Sequence, residues 1–124
     1  MENRLLIVDD DARLTRIVAL TANTLAIATT EENDSRRALD RFIQLRPQVI
    51  ILDIFMPEQD GIDVLNEILL TGIPTQVVLT TGEGDEPLRV AQDAIRFHGM
   101  PEAPVFHKPF RRAQLVEVLS RLFT

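Results

Sequence analysis

The chain has 124 residues and no cysteine, which suits one domain with a single core and excludes a disulfide framework, a thiolate metal site or a thiol nucleophile. Hydrophobic residues make up 45% and charged residues 26% of the chain, as in ordinary globular proteins, and no apolar run approaches the roughly 20 residues that span a bilayer. The net charge of −6 argues against nucleic-acid binding through a broad basic surface. The absence of cysteine is compatible with the cytosol, and we expect a cytoplasmic domain without direct nucleic-acid or membrane contact.

The first half of the chain alternates short apolar runs with helical patterns. Leu5–Val8 predicts a strand, and Asp11 is a predicted N-cap for the helix after it. Leu25–Thr29 predicts a second, weaker strand. A second helix begins after Asp34 or Ser35 and ends at Arg46-Pro47. The residues expected to face inward recur at helical spacing: Leu14, Ile17, Val18 and Thr21 in the first helix, and Ala38, Leu39, Phe42 and Leu45 in the second.

The second half repeats this alternation three times. Val49–Asp53 is an unbroken apolar run that ends in an acid, which is typical of a strand buried on both faces. The remaining predicted boundaries are a third helix from Asp60-Gly61 to Gly72, a strand over Gln76–Thr80, a helix from Glu86-Pro87, a strand over Pro104–His107 and a final helix after Phe110. The predicted inward residues are Ile62, Leu65, Ile68, Leu69, Leu88, Ala91, Ile95, Leu115, Val118, Leu119 and Leu122.

Five strands that alternate with five helices predict an α/β fold in a single domain over residues 1–124. We expect a doubly wound, five-stranded parallel sheet of order 2-1-3-4-5, the flavodoxin-like (βα)5 arrangement, with right-handed crossovers. In this order the first and third strands are neighbours, and a ligand would bind beyond their carboxyl ends.

Polar residues stand where these strands end. The first strand ends in Asp9 and Asp10, the third in Asp53, the fourth in Thr80-Thr81, and Lys108 follows the fifth. Carboxylates held close together repel, and a hard cation such as Mg²⁺ removes that conflict. An ammonium group and a hydroxyl suit phosphoryl oxygens, and an aspartate is an established nucleophile for phosphoryl groups. The pattern therefore predicts phosphoryl transfer centred on Asp53.

The sequence resembles a response-regulator receiver domain of two-component signalling from Leu5 to Leu122. The motifs that carry the resemblance are Val8-Asp9-Asp10, Leu52-Asp53 with Met56-Pro57 and Asp60-Gly61, Thr81-Gly82, and Lys108-Pro109-Phe110. The resemblance implies a signalling protein that takes a phosphoryl group from a histidine kinase or phosphotransfer protein onto Asp53. Such a domain catalyses only its own phosphorylation and dephosphorylation. Its output surface would comprise the fourth helix, fifth strand and fifth helix.

The resemblance also implies individual roles. Asp10 would bind Mg²⁺ directly together with Asp53 and the backbone carbonyl of Phe55, while Asp9 would hold a metal-bound water. The Thr81 hydroxyl and the Lys108 ammonium would contact the phosphoryl group, with Thr80 as a lesser candidate for the hydroxyl. The bond between Lys108 and Pro109 would be the family's cis peptide.

Two departures from the family pattern concern the output surface. The family often has an aromatic switch residue at the position of Val105, and the segment 98–104 is longer than the usual turn before the fifth strand. The chain fits a stand-alone receiver and equally the N-terminal part of a longer regulator with an effector domain. Other expected partners are a separate effector protein and a second copy bound through the fourth and fifth helices.

Three alternatives compete with this interpretation. A phosphatase would use Asp9-x-Asp11, a pattern that resembles the haloacid-dehalogenase motif, although Arg13 stands where that motif has threonine or valine. A phosphate-independent interaction module would not need the complete set of polar residues. A flavin-binding protein would need an aromatic sandwich, and the chain has no Trp or Tyr.

Overall fold

The computed structural model describes residues 2–56, 60–82 and 85–124. In these ranges the chain forms one five-stranded parallel sheet of order β2-β1-β3-β4-β5, as predicted. The elements are β1 Arg4–Val8, α1 Ala12–Asn23, β2 Ala28–Glu32, a 3₁₀ turn Ser35–Arg37, α2 Ala38–Leu45, β3 Val49–Asp53, α3 Gly61–Leu70, β4 Gln76–Thr81, α4 Asp85–Phe97, β5 Val105–His107 and α5 Arg112–Leu122. None of the helices in the described ranges is long and apolar enough to cross a membrane.

Side-chain alternation along the strands divides the core into two halves. One half packs β-strand residues against α1 and α5, and we call it the α1/α5 face; its strand members are Leu5, Ile7, Val49, Ile51, Val78 and Phe106. The other half packs against α2, α3 and α4, and we call it the α2–α4 face; its strand members are Leu6, Val8, Ile50, Leu52, Val77 and Leu79. β3 is buried along its whole length, which explains its unbroken apolar sequence.

The prediction for the second strand was wrong by three residues, because α1 ends in a tight turn that the apolar pattern conceals. Ala26 has the left-handed φ of 59°, and the Ile27 amide donates to the Ala22 carbonyl at 3.1 Å, as in a Schellman motif. Ile27 is buried as part of this turn. The strand that follows, Ala28–Glu32, is largely polar because it lies at the sheet edge.

The predicted inward stripe of α1 was also wrong at Ile17, whose side chain is 56% exposed, whereas Thr15 is fully buried. Burial of Thr15 is tolerated because its hydroxyl donates to Glu31 Oε1 at 3.0 Å and accepts from Asn33 Nδ2 at 3.0 Å. The predicted caps are confirmed: Asp11 caps α1, Asp60 caps α3, and Asp34 caps the 3₁₀ turn that leads into α2.

Candidate functional site

The three predicted acids meet at the carboxyl end of the sheet. β1 and β3 are hydrogen-bonded neighbours, so the acids that follow Val8 and Leu52 leave the sheet side by side. One carboxylate oxygen from each of Asp9, Asp10 and Asp53 lies within 4.8 Å of the others. Asp9 and Asp53 are buried, at 1% and 3% exposure, whereas Asp10 is exposed. The site therefore has two acids in its floor and one at its rim.

Lys108 is directed into the same cleft. Its Nζ atom lies 2.7 Å from Asp9 Oδ2 and 3.1 Å from Asp53 Oδ2. The other oxygen of each buried acid accepts from the backbone: Asp11 N–H donates to Asp9 Oδ1 at 2.9 Å and Phe55 N–H donates to Asp53 Oδ1 at 3.1 Å. These contacts fix both carboxylates and leave part of their acceptor capacity unused.

The pKa values of this cluster are displaced by burial and by mutual interaction. Burial raises the pKa of Asp9 above 3.8 despite the hydrogen bond from Lys108. Burial and the negative charge of Asp9 raise the pKa of Asp53 above 3.8. Burial alone would lower the pKa of Lys108, but the hydrogen bond to Asp9 and the charges of Asp53 and Asp9 outweigh it and raise that pKa above 10.5. The two buried acids thus share one ammonium group and still carry excess negative charge.

The donor set fits a hard divalent cation. All three candidate ligands are oxygen atoms, which Mg²⁺ prefers, and the exposed Asp10 leaves the cleft open to solvent and to a phosphoryl group. The cleft is lined by Asp10, Asp53, Phe55, Gly82 and Lys108. A cation would also supply the positive charge that Lys108 alone does not provide.

The family model of the response regulator receiver domain matches residues 5–120 of the chain. The chain belongs to this family. It is accordingly a receiver domain of two-component signalling, not a metabolic enzyme.

Individual relatives agree with this assignment. The chain is 29% identical to the chemotaxis protein CheY of Thermotoga maritima over 98% of both chains. It is 35% identical to the regulatory protein AtoC of Escherichia coli over 76% of this chain but only 20% of AtoC. A CheY-like receiver domain from Methanospirillum hungatei has the same fold, with a TM-score of 0.84 at 18% identity, over 99% of this chain and 95% of that one. Receiver domains thus occur both alone and as a small part of longer regulators.

Gly61, the first residue of α3, lies in close contact with the end of β3 next to Asp53. Its N–H donates to the Ile54 carbonyl at 3.0 Å, so the first residue of α3 packs directly on the end of β3. A Cβ at this position would lie 2.1 Å from the Asp53 carbonyl oxygen and 2.6 Å from Ile54 Cα, both backbone atoms. The glycine predicted as a helix start is therefore required by close packing. Pro57, part of the same motif, lies outside the described residues.

The Lys108 side of the receiver is held by the residues around it. The Lys108 N–H donates to the Thr81 carbonyl at 2.8 Å, and the Lys108–Pro109 peptide is cis, as the resemblance implies. Phe106 and Phe110, two residues before and after Lys108, stack with ring centroids 4.9 Å apart. Sequence reasoning missed this pair, although two phenylalanines flanking the lysine were a visible signal.

The two threonines of β4 lie on opposite faces. Thr80 is the register partner of Asp53 and of Phe106, so its side chain lies on the α1/α5 face. Thr81, one residue further, lies on the α2–α4 face, as does Val105, which packs against that half of the core. Both threonines are fully buried. Strand alternation predicts from the sequence that these two neighbouring side chains lie on opposite faces, and the register confirms it.

Asn33 is a further contributor that sequence reasoning missed. Its amide donates to the Asp9 carbonyl at 2.9 Å and to the Thr15 hydroxyl at 3.0 Å. These bonds tie the loop after β2 to the loop that carries Asp9 and Asp10. No motif or spacing marks this asparagine, since its role depends on the contact between two separate loops.

Proposed function

We propose that this receiver accepts a phosphoryl group on Asp53 from the phosphohistidine of a sensor histidine kinase or phosphotransfer protein. The observation that carries the proposal is the setting of the Asp53 carboxylate. It is 3% exposed, lies in the floor of an open cleft, and contacts the Lys108 ammonium at 3.1 Å beside two further acids. Family membership supports the same role for this residue.

In the proposed reaction an Asp53 oxygen attacks phosphorus, the P–N bond to the histidine breaks, and the leaving imidazole keeps the electron pair and takes up a proton. Lys108 contacts an oxygen of the transferred group, and the Thr81 hydroxyl donates to another. Asp10, Asp53 and the Phe55 carbonyl would hold Mg²⁺, with Asp9 acting through a bound water. The ion supplies positive charge that offsets the charge of the phosphoryl oxygens.

The proposed consequence is a change in the surface formed by α4, β5 and α5. Lys108 follows β5 directly, and Thr81 ends the neighbouring strand, so both proposed phosphoryl contacts adjoin that surface. The side chains of Val90 and Phe97 on α4 are 48% and 87% exposed, which supports binding of an effector or a second copy there. We propose that residues 1–124 act as one receiver domain, whether alone or within a longer cytoplasmic regulator.

The test is incubation with Mg²⁺ and a small phosphodonor such as acetyl phosphate, followed by intact mass measurement. We expect a phosphate-sized mass gain in the wild type that disappears in Asp53→Asn and on chelation of Mg²⁺. An equal gain in Asp53→Asn would exclude Asp53 as the acceptor. Steady hydrolysis of a phosphoester, lost in Asp9→Asn but retained in Asp53→Asn, would instead support a phosphatase.

A further inference from the structure

Thr80 carries a buried hydroxyl that has no hydrogen-bond partner among the residues that the structure describes. The residue is 1% exposed. An unpaired buried hydroxyl lowers the stability of a protein, because the group loses its hydrogen bonds to water on folding and forms none within the protein. Such a group is informative when it lies beside a reactive residue.

The register of the sheet places this hydroxyl beside the proposed phospho-acceptor. Thr80 and Asp53 are paired across β4 and β3, at a strand spacing of about 4.8 Å, and alternation puts both side chains on the α1/α5 face. On its other side Thr80 is paired with Phe106, whose ring stacks on Phe110. Thr80 therefore lies between the acceptor carboxyl and an apolar wall that offers no hydrogen-bond partner.

The Asp53 carboxyl has acceptor capacity for this hydroxyl. Its described donors are Phe55 N–H on Oδ1 and Lys108 Nζ on Oδ2, whereas a carboxylate has about four acceptor sites. When one oxygen becomes bonded to phosphorus, the other becomes the carbonyl oxygen of an acyl phosphate. Lys108 then faces the phosphoryl oxygens, so the Asp53 carboxyl group has one donor fewer than before and can accept a hydrogen bond from another.

We propose that the Thr80 hydroxyl is a second hydroxyl of the phosphorylation site, which turns about χ1 and donates to the Asp53 carboxyl group as the acyl phosphate forms. The inference rests on the proposed role of Asp53. It differs from the role of Thr81, which lies on the opposite face and serves the transferred phosphoryl group. No covalent step is added, because the hydroxyl keeps its proton throughout.

The proposal predicts an unusual combination of effects in Thr80→Val, which keeps the shape of the side chain and removes the hydroxyl. Phosphorylation by acetyl phosphate should slow about tenfold, the effect of losing one hydrogen bond to a charged or developing charged group. The melting temperature should rise, since an unpaired polar group has been replaced by a methyl group. Thr80→Ser, which keeps the hydroxyl, should retain the wild-type rate.

Thr29 provides a matched control. Its hydroxyl is likewise buried without a described partner, but it lies on β2 opposite Leu5, at the far end of the sheet from Asp53. Thr29→Val should raise the melting temperature and leave the phosphorylation rate unchanged. Magnesium affinity, measured by calorimetry, should be the same in all three threonine variants, because Thr80 supplies no metal ligand.

Each other result overturns the inference in a distinguishable way. An unchanged rate in Thr80→Val removes the hydroxyl from the reaction, and an equal loss in Thr80→Ser shows that shape rather than the hydroxyl matters. A lower melting temperature in Thr80→Val shows that the hydroxyl is already paired. Absence of any phosphate gain on wild-type Asp53 would remove the proposed function together with this inference, whereas wild-type phosphorylation with an unaffected Thr80→Val removes this inference alone.

Discussion

Lys108 is the only lysine in the chain, and among the residues that the structure describes it is the one cation in contact with two buried carboxylates. Two buried acids that share one ammonium are not fully compensated, and burial of charge without full compensation opposes folding. The residues that would make the site reactive are therefore also residues that reduce the stability of the metal-free protein. Two predictions test this conflict at the level of single residues.

Asp53→Asn should be more stable than the wild type in a chelating buffer at neutral pH. The folded-state pKa of Asp53 is raised, so the folded protein holds this proton more tightly than the unfolded chain. Its contribution to stability is present below pH 3.8 and is lost as the pH rises through the raised value. Thermal unfolding followed by circular dichroism should show the gain at neutral pH and a smaller one in acid. Glu117→Gln, on the surface of α5, is the control, and a less stable Asp53→Asn at neutral pH would contradict the expectation.

Lys108 should react faster with an amine-directed reagent in Asp53→Asn than in the wild type. The neighbouring acids raise the pKa of Lys108 and keep the amine protonated, and removal of one acid weakens that effect. Because the chain has one lysine, peptide mass measurement separates its modification from that of the N-terminus. Equal labelling rates at mildly alkaline pH would show that Asp53 does not help to keep the Lys108 amine protonated.

At the scale of elements, sequence-based prediction was accurate for the strand that is buried on both faces and less accurate for the strand at the sheet edge. β3 was predicted to the residue because both its faces are buried and every position before Asp53 is apolar. β2 was misplaced because it is an edge strand with polar residues, and because the turn at Ala26 depends on backbone conformation rather than on composition. The motif acids and Lys108 were found since parallel strands gather their carboxyl ends at one edge. The opposite faces of Thr80 and Thr81 followed from strand alternation, whereas the Phe106–Phe110 stack and the Asn33 bonds depend on contacts between separate segments, which no single motif encodes.

Gly61→Ala should destabilise the protein by about 2–3 kcal/mol, the upper part of the range of about 1–3 kcal/mol for forced overpacking. The added Cβ would meet the Asp53 carbonyl oxygen and Ile54 Cα, and backbone atoms cannot turn aside as a flexible side chain can. Gly82→Ala is the control for stability, because a Cβ there meets nothing within 4 Å. Chemical denaturation measures both changes. A Gly61→Ala protein as stable as Gly82→Ala would show that α3 can move away from β3.

Ala26→Gly should stabilise the protein by about 1 kcal/mol, although replacement by glycine usually lowers the stability of the folded state. Ala26 occupies the left-handed region at φ 59°, where its Cβ is strained and glycine is not. Ala19→Gly, in the middle of α1, should instead lose about 1 kcal/mol in the same denaturation experiment. A loss in both variants would contradict the turn geometry at the end of α1.

At the scale of the whole molecule, three acids that follow two neighbouring strands converge at one end of the sheet, in a chain whose net charge is −6. The strands that lead to the acids contribute side chains to both halves of the core. A ligand bound there would join β1, β3 and the loops after them. It would therefore stabilise the folded molecule as a unit.

Magnesium should raise the melting temperature of the wild type and not of Asp10→Asn. At an ion concentration ten times the dissociation constant the stabilisation is about 1.4 kcal/mol, which corresponds to about 5 °C for a domain of this size. Differential scanning calorimetry with and without a chelator measures the shift. Asp40→Asn, on the surface of α2, should respond like the wild type. An equal shift in Asp10→Asn would place the ion elsewhere.

Side-chain alternation along β4 decides on which face of the sheet each of its two threonine hydroxyls lies. Even-numbered positions point toward α1 and α5, and odd-numbered positions point toward α2, α3 and α4. Under the roles proposed above, phosphorylation of Asp53 would affect both faces of the sheet. Thr80 would link it to the paired phenylalanines, and Thr81 would link it to Val105. If one residue were deleted from β4 upstream of this pair and the rest of the strand kept its place in the sheet, Thr81 would lie opposite Asp53 and Gly82 would take the position of Thr81. The hydroxyl on the α2–α4 face would then be missing from the cleft.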